Sequence, residues 1–486
     1  MIPFADILLR SARKRNVSLF VVGGFLRDHF MNRKSHDLDL VANVDPRTIG
    51  MDLADSTGGQ YFELNLDHST ARVTLNWGEN FWQVDIGSIR GRDIHEDLHN
   101  RDFTVNAMAL PLEKLASGLS WQDYLLDPFN GRKDLEKGLL RIIGEDVIVD
   151  DPLRMIRGIR FASTLQFDLE KQTAYLFKKN RALLFRVSAL RLKMEMGKIL
   201  KNPAVKYFWL MQRLQFTQTL FPSLEKFLQT SEAKIPYRGW EQSMLTLHYL
   251  EKLIKEMPFS QQWKHHLESY LKEELSTGWS RIKILKLAAL FHNIKISESG
   301  SSLEKEGADY YLPSKVWGYL FRYGRRMHLN RAENNLIKKV VSYYMVPLKR
   351  YMFPDRNPRT LYRFYRNLGN EAPGILLFSL ADFMALVDYP NPADVERPLL
   401  PSLEDYGAFI NRLLYRYFIS KESLVPIPSM ITKQELVTYL GINPGRLSTA
   451  IFEAIAEAQA EGKITTRKEA FKYAEKEYRR RMAGGQ

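Results

Sequence analysis

Asp37 and Asp39 are the residues whose spacing points most directly to chemistry. They lie in SLFVVGGFLRDHFMNRKSHDLDLVA, residues 18–42. Side chains alternate across a strand, so in HDLDLVA both carboxylates share one face and Leu38 and Leu40 take the other. Carboxylates side by side repel each other, and a cation between them relieves the cost. Upstream, the apolar, β-branched SLFVV reads as a buried strand. Gly23-Gly24 follows at once, and a glycine pair lets the backbone turn sharply and approach a ligand. FLRDHF then reads as a short helix whose first N–H groups could cradle phosphate, with Arg27 beside them. Hard oxygen donors next to a phosphate cradle point to Mg²⁺, held by Asp37 and Asp39. A lone Asp-x-Asp is more often the solvated face of a hairpin. The glycine pair, Arg27 and the flanking strands, in this order, favour the metal reading.

GGFLRD followed by DLDLV resembles the head motif of class II tRNA nucleotidyltransferases and bacterial poly(A) polymerases, within the polymerase-β-like superfamily. Residues 1–140 alternate strand and helix patterns, and they read as an α/β head with a mixed sheet. ARVTLNW (71–77) and FWQVDIGSI (81–89) are further strands. In the second, Gln83 and Asp85 share a face, which makes Asp85 a candidate third carboxylate; the plainer reading is an exposed strand residue. In NRDFTVNAMAL (100–110), Arg101 and Asp102 precede an apolar segment, and Asn106 lies one helical turn beyond Asp102. By themselves they read as a helix cap with a salt bridge. The family's counterpart is an RRDFT-N motif. There the Arg meets phosphates and the Asp and Asn meet the sugar, which the resemblance carries to Arg101, Asp102 and Asn106. Asn100 stands where the family has its first Arg.

LLDPFNGRKDLEKGLLRIIG (125–144) reads as a turn, a helix start and a strand, a hinge between head and neck. DDPLRMIRGIRFASTL (150–165) reads as a basic helix with Pro152 in its first turn. Asp151 and Arg154 are three apart, and Arg157 and Arg160 continue the stripe. Surface ion pairs would explain such a stripe. The sharper reading is base selection. Asp151 can accept from the exocyclic amine of cytosine or adenine while Arg154 donates to ring acceptors. The stripe resembles the family's EDxxR motif, with Asp150 in place of Glu, which acts there as a protein template for the incoming nucleotide. SALRLKMEMGKIL (188–200) reads as a helix capped by Ser188. It resembles the family's neck helix, with Leu190 replacing the first Glu and Arg191 and Glu195 retained, and reads as structural support.

The chain has 486 residues and is divided as a head at 1–140, a neck at 141–205, a helical body at 206–400 and a helical tail at 401–486. The Pro-rich NPADVERPLLPSLEDY (391–406) marks the last boundary. Net charge is +14, which suggests a polyanionic partner, RNA or DNA ahead of membrane. There is no Cys, which excludes disulfides, zinc–thiolate sites and thiol catalysis. No apolar run reads as transmembrane and no signal peptide is recognised, so a cytoplasmic protein is expected. In the body, LKLAALFHNIK (285–295) resembles the metal-binding helix of HD phosphohydrolases, with His292-Asn293 in place of His-Asp. His248 and Asp382 fall where the first His and last Asp would stand. Asn bridges metals poorly, so a degenerate, structural HD-like body is expected. YLFRYGRRMHLNR (319–331) and RTLYRFYRNL (359–368) suit RNA phosphates and stacked bases, or amphipathic helices with a solvated face.

The resemblance implies template-independent addition of nucleotides from CTP and/or ATP to the 3′ end of tRNA. Asp37, Asp39 and Asp85 would hold Mg²⁺. Gly23, Gly24, Arg27, Arg101, Arg157 and Arg160 would grip phosphates, and Asp151 and Arg154 would choose the base. Family members that add CCA, or only A, usually carry a flexible loop between the strand of the third carboxylate and the RRD motif. Here VDIGSIRGRDIHEDLHNRDFT runs straight from Asp85 to Arg101. A CC-adding enzyme that depends on a separate A-adding partner is therefore expected. The alternatives are a full CCA- or A-adding enzyme, a poly(A) polymerase, a hydrolase using the HD-like body, and a non-catalytic RNA-binding protein.

Overall fold

The structure, a computed structural model, describes residues 2–65, 70–117, 122–224, 239–293, 314–354, 358–389, 400–419 and 429–483. Its contacts divide the chain into two units. One comprises Met1–Asn202 and Lys206–Leu220, the other Pro203–Val205 and Phe221–Gln486.

The first unit is built on a six-stranded sheet. Its strands are β1 (Leu19–Val22), β2 (Asp37–Ala42), β3 (Gln60–Asn65), β4 (Thr70–Trp77), β5 (Asn80–Ser88) and β6 (Ala109–Pro111). They lie in the order β3-β4-β5-β2-β1-β6. Only β2 and β5 pair in parallel, so the sheet is mixed as expected. Gly78 at φ +61° closes the two-residue turn joining β4 to β5, a backbone conformation that glycine adopts without penalty. Period-two alternation decides which face is buried. Leu38, Leu40, Val73, Val84 and Ile86 are at most 2% exposed. The helix Pro46–Thr57 lies against β4 and β5 and contributes the buried Ile49 and Leu53. Asp45 caps that helix by accepting from the Arg47 N–H at 3.0 Å. With one face of the sheet filled by aliphatic groups, the other is left for Asp37, Asp39, Gln83 and Asp85.

Further helices of this unit include Leu153–Leu165, Lys171–Asn180 and Ala189–Ile199. Ser188 caps the last, accepting from the Arg191 N–H at 3.4 Å. Gly158 lets the first approach closely, because a Cβ there would lie 2.6 Å from the Phe177 ring. In the second unit, apart from the short pair Glu274–Ser276 and Trp279–Ser280, the described elements are helical. Gly239–Glu256, Arg281–Phe291 and Ala372–Asp388 pack together around aliphatic and aromatic side chains. The helices Lys433–Leu440, Arg446–Ala460 and Arg467–Ala483 enclose a small core of Leu436, Ile451, Ile455 and Ala470.

One sequence expectation needs correction. By length and composition, the helical stretch Thr360–Asp388, whose most apolar 18-residue window has mean hydropathy 1.3, is long and apolar enough to cross a membrane. Of its most apolar window, 67% is buried inside the fold, and Gly369–Glu371 interrupts the α-helical geometry. The Pro-rich boundary at 391–399 lies outside the described residues.

Candidate active site

The open face of the sheet forms the floor of a cavity of about 690 Å³. Every site residue read from the sequence lines it: Gly23, Gly24, Arg27, Asp37, Asp39, Asp85, Arg101, Asp102, Asn106, Asp151, Arg154, Arg157 and Arg160. The helix Gly23–Phe30 begins at the glycine pair as β1 ends. The Gly24 N–H donates to Asp39 Oδ2 at 3.0 Å, so the turn that starts the helix also fixes a carboxylate. Gly23 has φ +68°, and a Cβ there would lie 2.8 Å from the same oxygen. Gly23→Ala therefore strains the turn and displaces the carboxylate. The expected result is about a tenfold fall in the turnover rate of nucleotide addition with folding retained, measured by single-turnover kinetics and a melting curve.

Asp39 is held above the usual carboxylate range, chiefly by burial, although the Gly24 N–H and the Arg101 guanidinium pull it down. Such a group gains from a nearby cation. Asp37, exposed at the start of β2, offers a second carboxylate two residues away on the same face. Two carboxylates open to a cavity suit Mg²⁺, whose remaining positions are filled by water and substrate phosphate. Asp85 is differently placed. It pairs directly with Asp39 in the parallel β2–β5 register, but both its oxygens accept from Arg72, at 2.7 and 2.8 Å. Among the described residues, no group of three or more His, Asp or Glu is arranged to hold a metal ion.

The arginines are less free than their spacing suggests. Arg27 donates to Asp28 at 2.8–2.9 Å and to Asn106 Oδ1 at 2.8 Å. Arg101 donates twice to Asp97 Oδ2, at 3.0 and 2.8 Å. Arg157 clamps Asp102 at 2.9 and 2.5 Å. Asp102 also accepts from Asn106 at 3.0 Å and from the Phe103 N–H at 2.8 Å. Burial would raise its pKa, but Arg157 and these donors hold it below the usual range. Arg160 pairs with Glu195 at 2.6 Å, and its guanidinium lies over the Phe161 ring. Arg154 donates to the backbone carbonyls of Asn100 and Arg101 at 2.8 and 3.1 Å, rather than to Asp151. Asp151 is held instead by Arg191, at 3.1 and 2.7 Å.

Apart from Asp28, which adjoins Arg27 in sequence, four residues of this network were not read from the sequence as site residues: Arg72, Asp97, Arg191 and Glu195. Asp97 had a local signal, since it lies four positions before Arg101 on one helical turn. The other three meet their partners only through strand pairing or helix packing.

The connection from β5 to Arg101 is short and tied down. The Ile89 N–H donates to the Ala42 carbonyl at 2.8 Å, Arg90 N–H to Asp97 Oδ1 at 3.0 Å and Arg92 N–H to Glu96 Oε2 at 2.8 Å. Asp93 then caps the helix Ile94–His99.

In the second unit, His292 and Asp382 meet, while His248 is exposed on Gly239–Glu256. His292 is fully buried, with Nδ1 2.9 Å from the Ala289 carbonyl and Nε2 3.0 Å from Asp382 Oδ1. Thr246 and Gln242 donate to the same carboxylate oxygen at 3.1 and 3.3 Å. Asn293 donates towards Gly239 O and Ser243 Oγ at 3.3 and 3.4 Å. Asp382 is thus filled by hydrogen bonds within the helical core.

Residues 19–141 match a family described as the poly(A) polymerase head domain, and residues 166–228 one described as a probable RNA- and SrmB-binding site of polymerase A. A CC-adding tRNA nucleotidyltransferase of Geobacter sulfurreducens is 25% identical over 477 residues, covering 97% of this chain and 94% of that protein. An A-adding tRNA nucleotidyltransferase of Halalkalibacterium halodurans is 36% identical over 180 residues, 34% of this chain and 40% of that protein. Among solved structures, the apo form I of a CCA-adding enzyme superposes with a TM-score of 0.62 at 21% identity, covering 96% of this chain and 92% of that one. That likeness extends the match in fold from the mixed-sheet head through the helical remainder.

Proposed function

Since the chain belongs to the family of class II tRNA nucleotidyltransferases and poly(A) polymerases, we propose that it adds two C residues, and not the final A, to the 3′ end of tRNA. It is a nucleotidyltransferase of the tRNA CCA-adding class. In the reaction, the terminal ribose hydroxyl oxygen of tRNA bonds to the α-phosphorus of CTP. The bond from that phosphorus to the bridging oxygen of the β-phosphate breaks, and pyrophosphate leaves. Asp37 and Asp39 would hold Mg²⁺, which when bound supplies positive charge where the phosphoryl oxygens gain negative charge. Arg101, fixed by Asp97, adds charge from the side of the glycine turn. Arg27, Arg157 and Arg160 keep the wall of the cavity positive while held by acidic or amide partners. Asp151 and Arg154 lie on the wall where a base would be read, with Arg191 orienting Asp151. Asp102 and Asn106 brace that wall through Arg157 and Arg27, and reach the sugar only if those partners shift. The division into head, neck, body and tail at residues 140, 205 and 400 belongs to the same reading, with the body and tail gripping tRNA; the match to a probable RNA-binding site spans 166–228, the neck and the start of the body.

The observation that carries the CC assignment is the tied-down connection Ile89–Arg92. A pocket that first takes CTP and then ATP needs a part that changes state between the two. At this rim, each of these backbone N–H groups has a partner and the chain between them is short. End-to-end similarity does not separate the readings, since a CC-adding relative and an A-adding one each match more than 90% of this chain at 25% and 26% identity. The 36% identity over 180 residues to an A-adding relative favours addition of A alone. Product length decides between them. Given tRNA lacking CCA, with CTP and ATP both present, the expected product ends in CC. Efficient conversion to CCA, or activity only on tRNA already ending in CC, overturns the assignment.

A further inference from the structure

Arg72, Asp85 and Asp39 form a row across three strands. Arg72 is the β4–β5 register partner of Asp85, and Asp85 is the β5–β2 register partner of Asp39. Directly paired residues point to the same side of a sheet, so all three lie on the cavity face. Position alone would make Asp85 a third ligand beside Asp37 and Asp39. Its hydrogen bonds oppose this. The planar fork of Arg72 meets both carboxylate oxygens, at 2.7 and 2.8 Å, the geometry in which an Arg–carboxylate pair is strongest. A cation approaching Asp85 would find its charge already balanced, with the guanidinium close behind it.

We propose that Arg72 is a built-in counter-ion that withdraws Asp85 from the metal centre, so that Asp37 and Asp39 alone hold the divalent ion, which binds firmly only together with a nucleotide. This rests on the reading of Asp37 and Asp39 as the metal pair. Two carboxylates leave most of a magnesium ion's octahedron to water, so affinity for the bare ion is low. A triphosphate brings its own oxygens and completes the shell. The protein therefore takes the ion and the nucleotide as one unit, and Arg72 is a positioning residue that sets this order through Asp85.

Mn²⁺ titration of the full chain without nucleotide, read by the loss of the free-ion signal in electron paramagnetic resonance, tests the inference. Arg72→Leu releases Asp85 beside Asp39 and should tighten Mn²⁺ binding at least about tenfold, about 1.4 kcal/mol. Adding Asp85→Asn to Arg72→Leu should return the affinity to that of the parent. Asp85→Asn alone should leave it within about twofold of the parent, and it decides the matter if Arg72→Leu does not fold. A tenfold weakening in Asp85→Asn, no tightening in Arg72→Leu, or tightening that survives in the double variant overturns the proposal. Arg72→Leu combined with Asp37→Asn separates the two levels. If the gained affinity persists there, the metal-pair reading fails. If it disappears, that reading stands.

Discussion

Asp39→Ala should lower nucleotide addition by on the order of 10³-fold and leave the protein at least as stable as the parent. Asp39 sits on the cavity face of β2, accepts the Gly24 N–H and is held above the usual carboxylate range mainly by burial. Among the described residues, no cation pairs with it as Arg72 pairs with Asp85 or Arg157 with Asp102. A group held this way contributes little to stability and is kept for its use. The loss should appear in single-turnover rates, with tRNA affinity nearly unchanged. Rates within tenfold of the parent would remove Asp39 from the centre. A melting temperature several degrees lower would assign it to structure.

Asp102→Ala should have the opposite signature: a folding defect first. Asp102 is 6% exposed and takes four hydrogen bonds, two of them from Arg157. Deleting one partner of such a pair leaves the other charge uncompensated. Breaking a fully buried pair costs about 3–5 kcal/mol. The Arg157 side chain keeps 35% of its surface exposed, so about 2–3 kcal/mol is expected here. The pair also sets a pH dependence. The folded pKa of Asp102 lies below its unfolded value. Its stabilisation is therefore complete above the unfolded value, about 3.9, and is lost as pH falls through the folded value. Urea unfolding at a series of pH values should show the parent losing stability below about pH 4, with a shallower loss in Asp102→Ala. Equal slopes would mean that the pair is not the acid-sensitive element.

Much of the head was legible in the sequence because its signals are local. The glycine pair, the alternation around Asp37 and Asp39, and Pro152 ahead of a basic helix each lie within a few residues of what they determine. The partners of the charged residues were not legible. Arg72 reaches Asp85 through the register of a hairpin, Arg191 reaches Asp151 across 40 positions, and Glu195 meets Arg160 where two helices pack. Spacing along one helix places Asp151, Arg154, Arg157 and Arg160 on a stripe, but it does not reveal what faces the stripe. The site arginines, which spacing left free, proved to have assigned partners. In the second unit, the sequence pattern placed His248 and His292 on the same footing; packing buried one against Asp382 and left the other exposed.

The anchored stretch from Ile89 to Arg92 also has an entropic consequence. Ordering a residue's backbone costs about 1–2 kcal/mol, and here that ordering is completed when the chain folds. A nucleotide arriving at this rim finds the backbone at Ile89, Arg90 and Arg92 already ordered, which favours the first substrate it fits. A change to a different substrate would have to break these backbone hydrogen bonds, since a ligand can only shift states that the protein already samples. On the proposed CC-adding reading, selectivity for one base and inability to change to another are two aspects of the same loss of freedom.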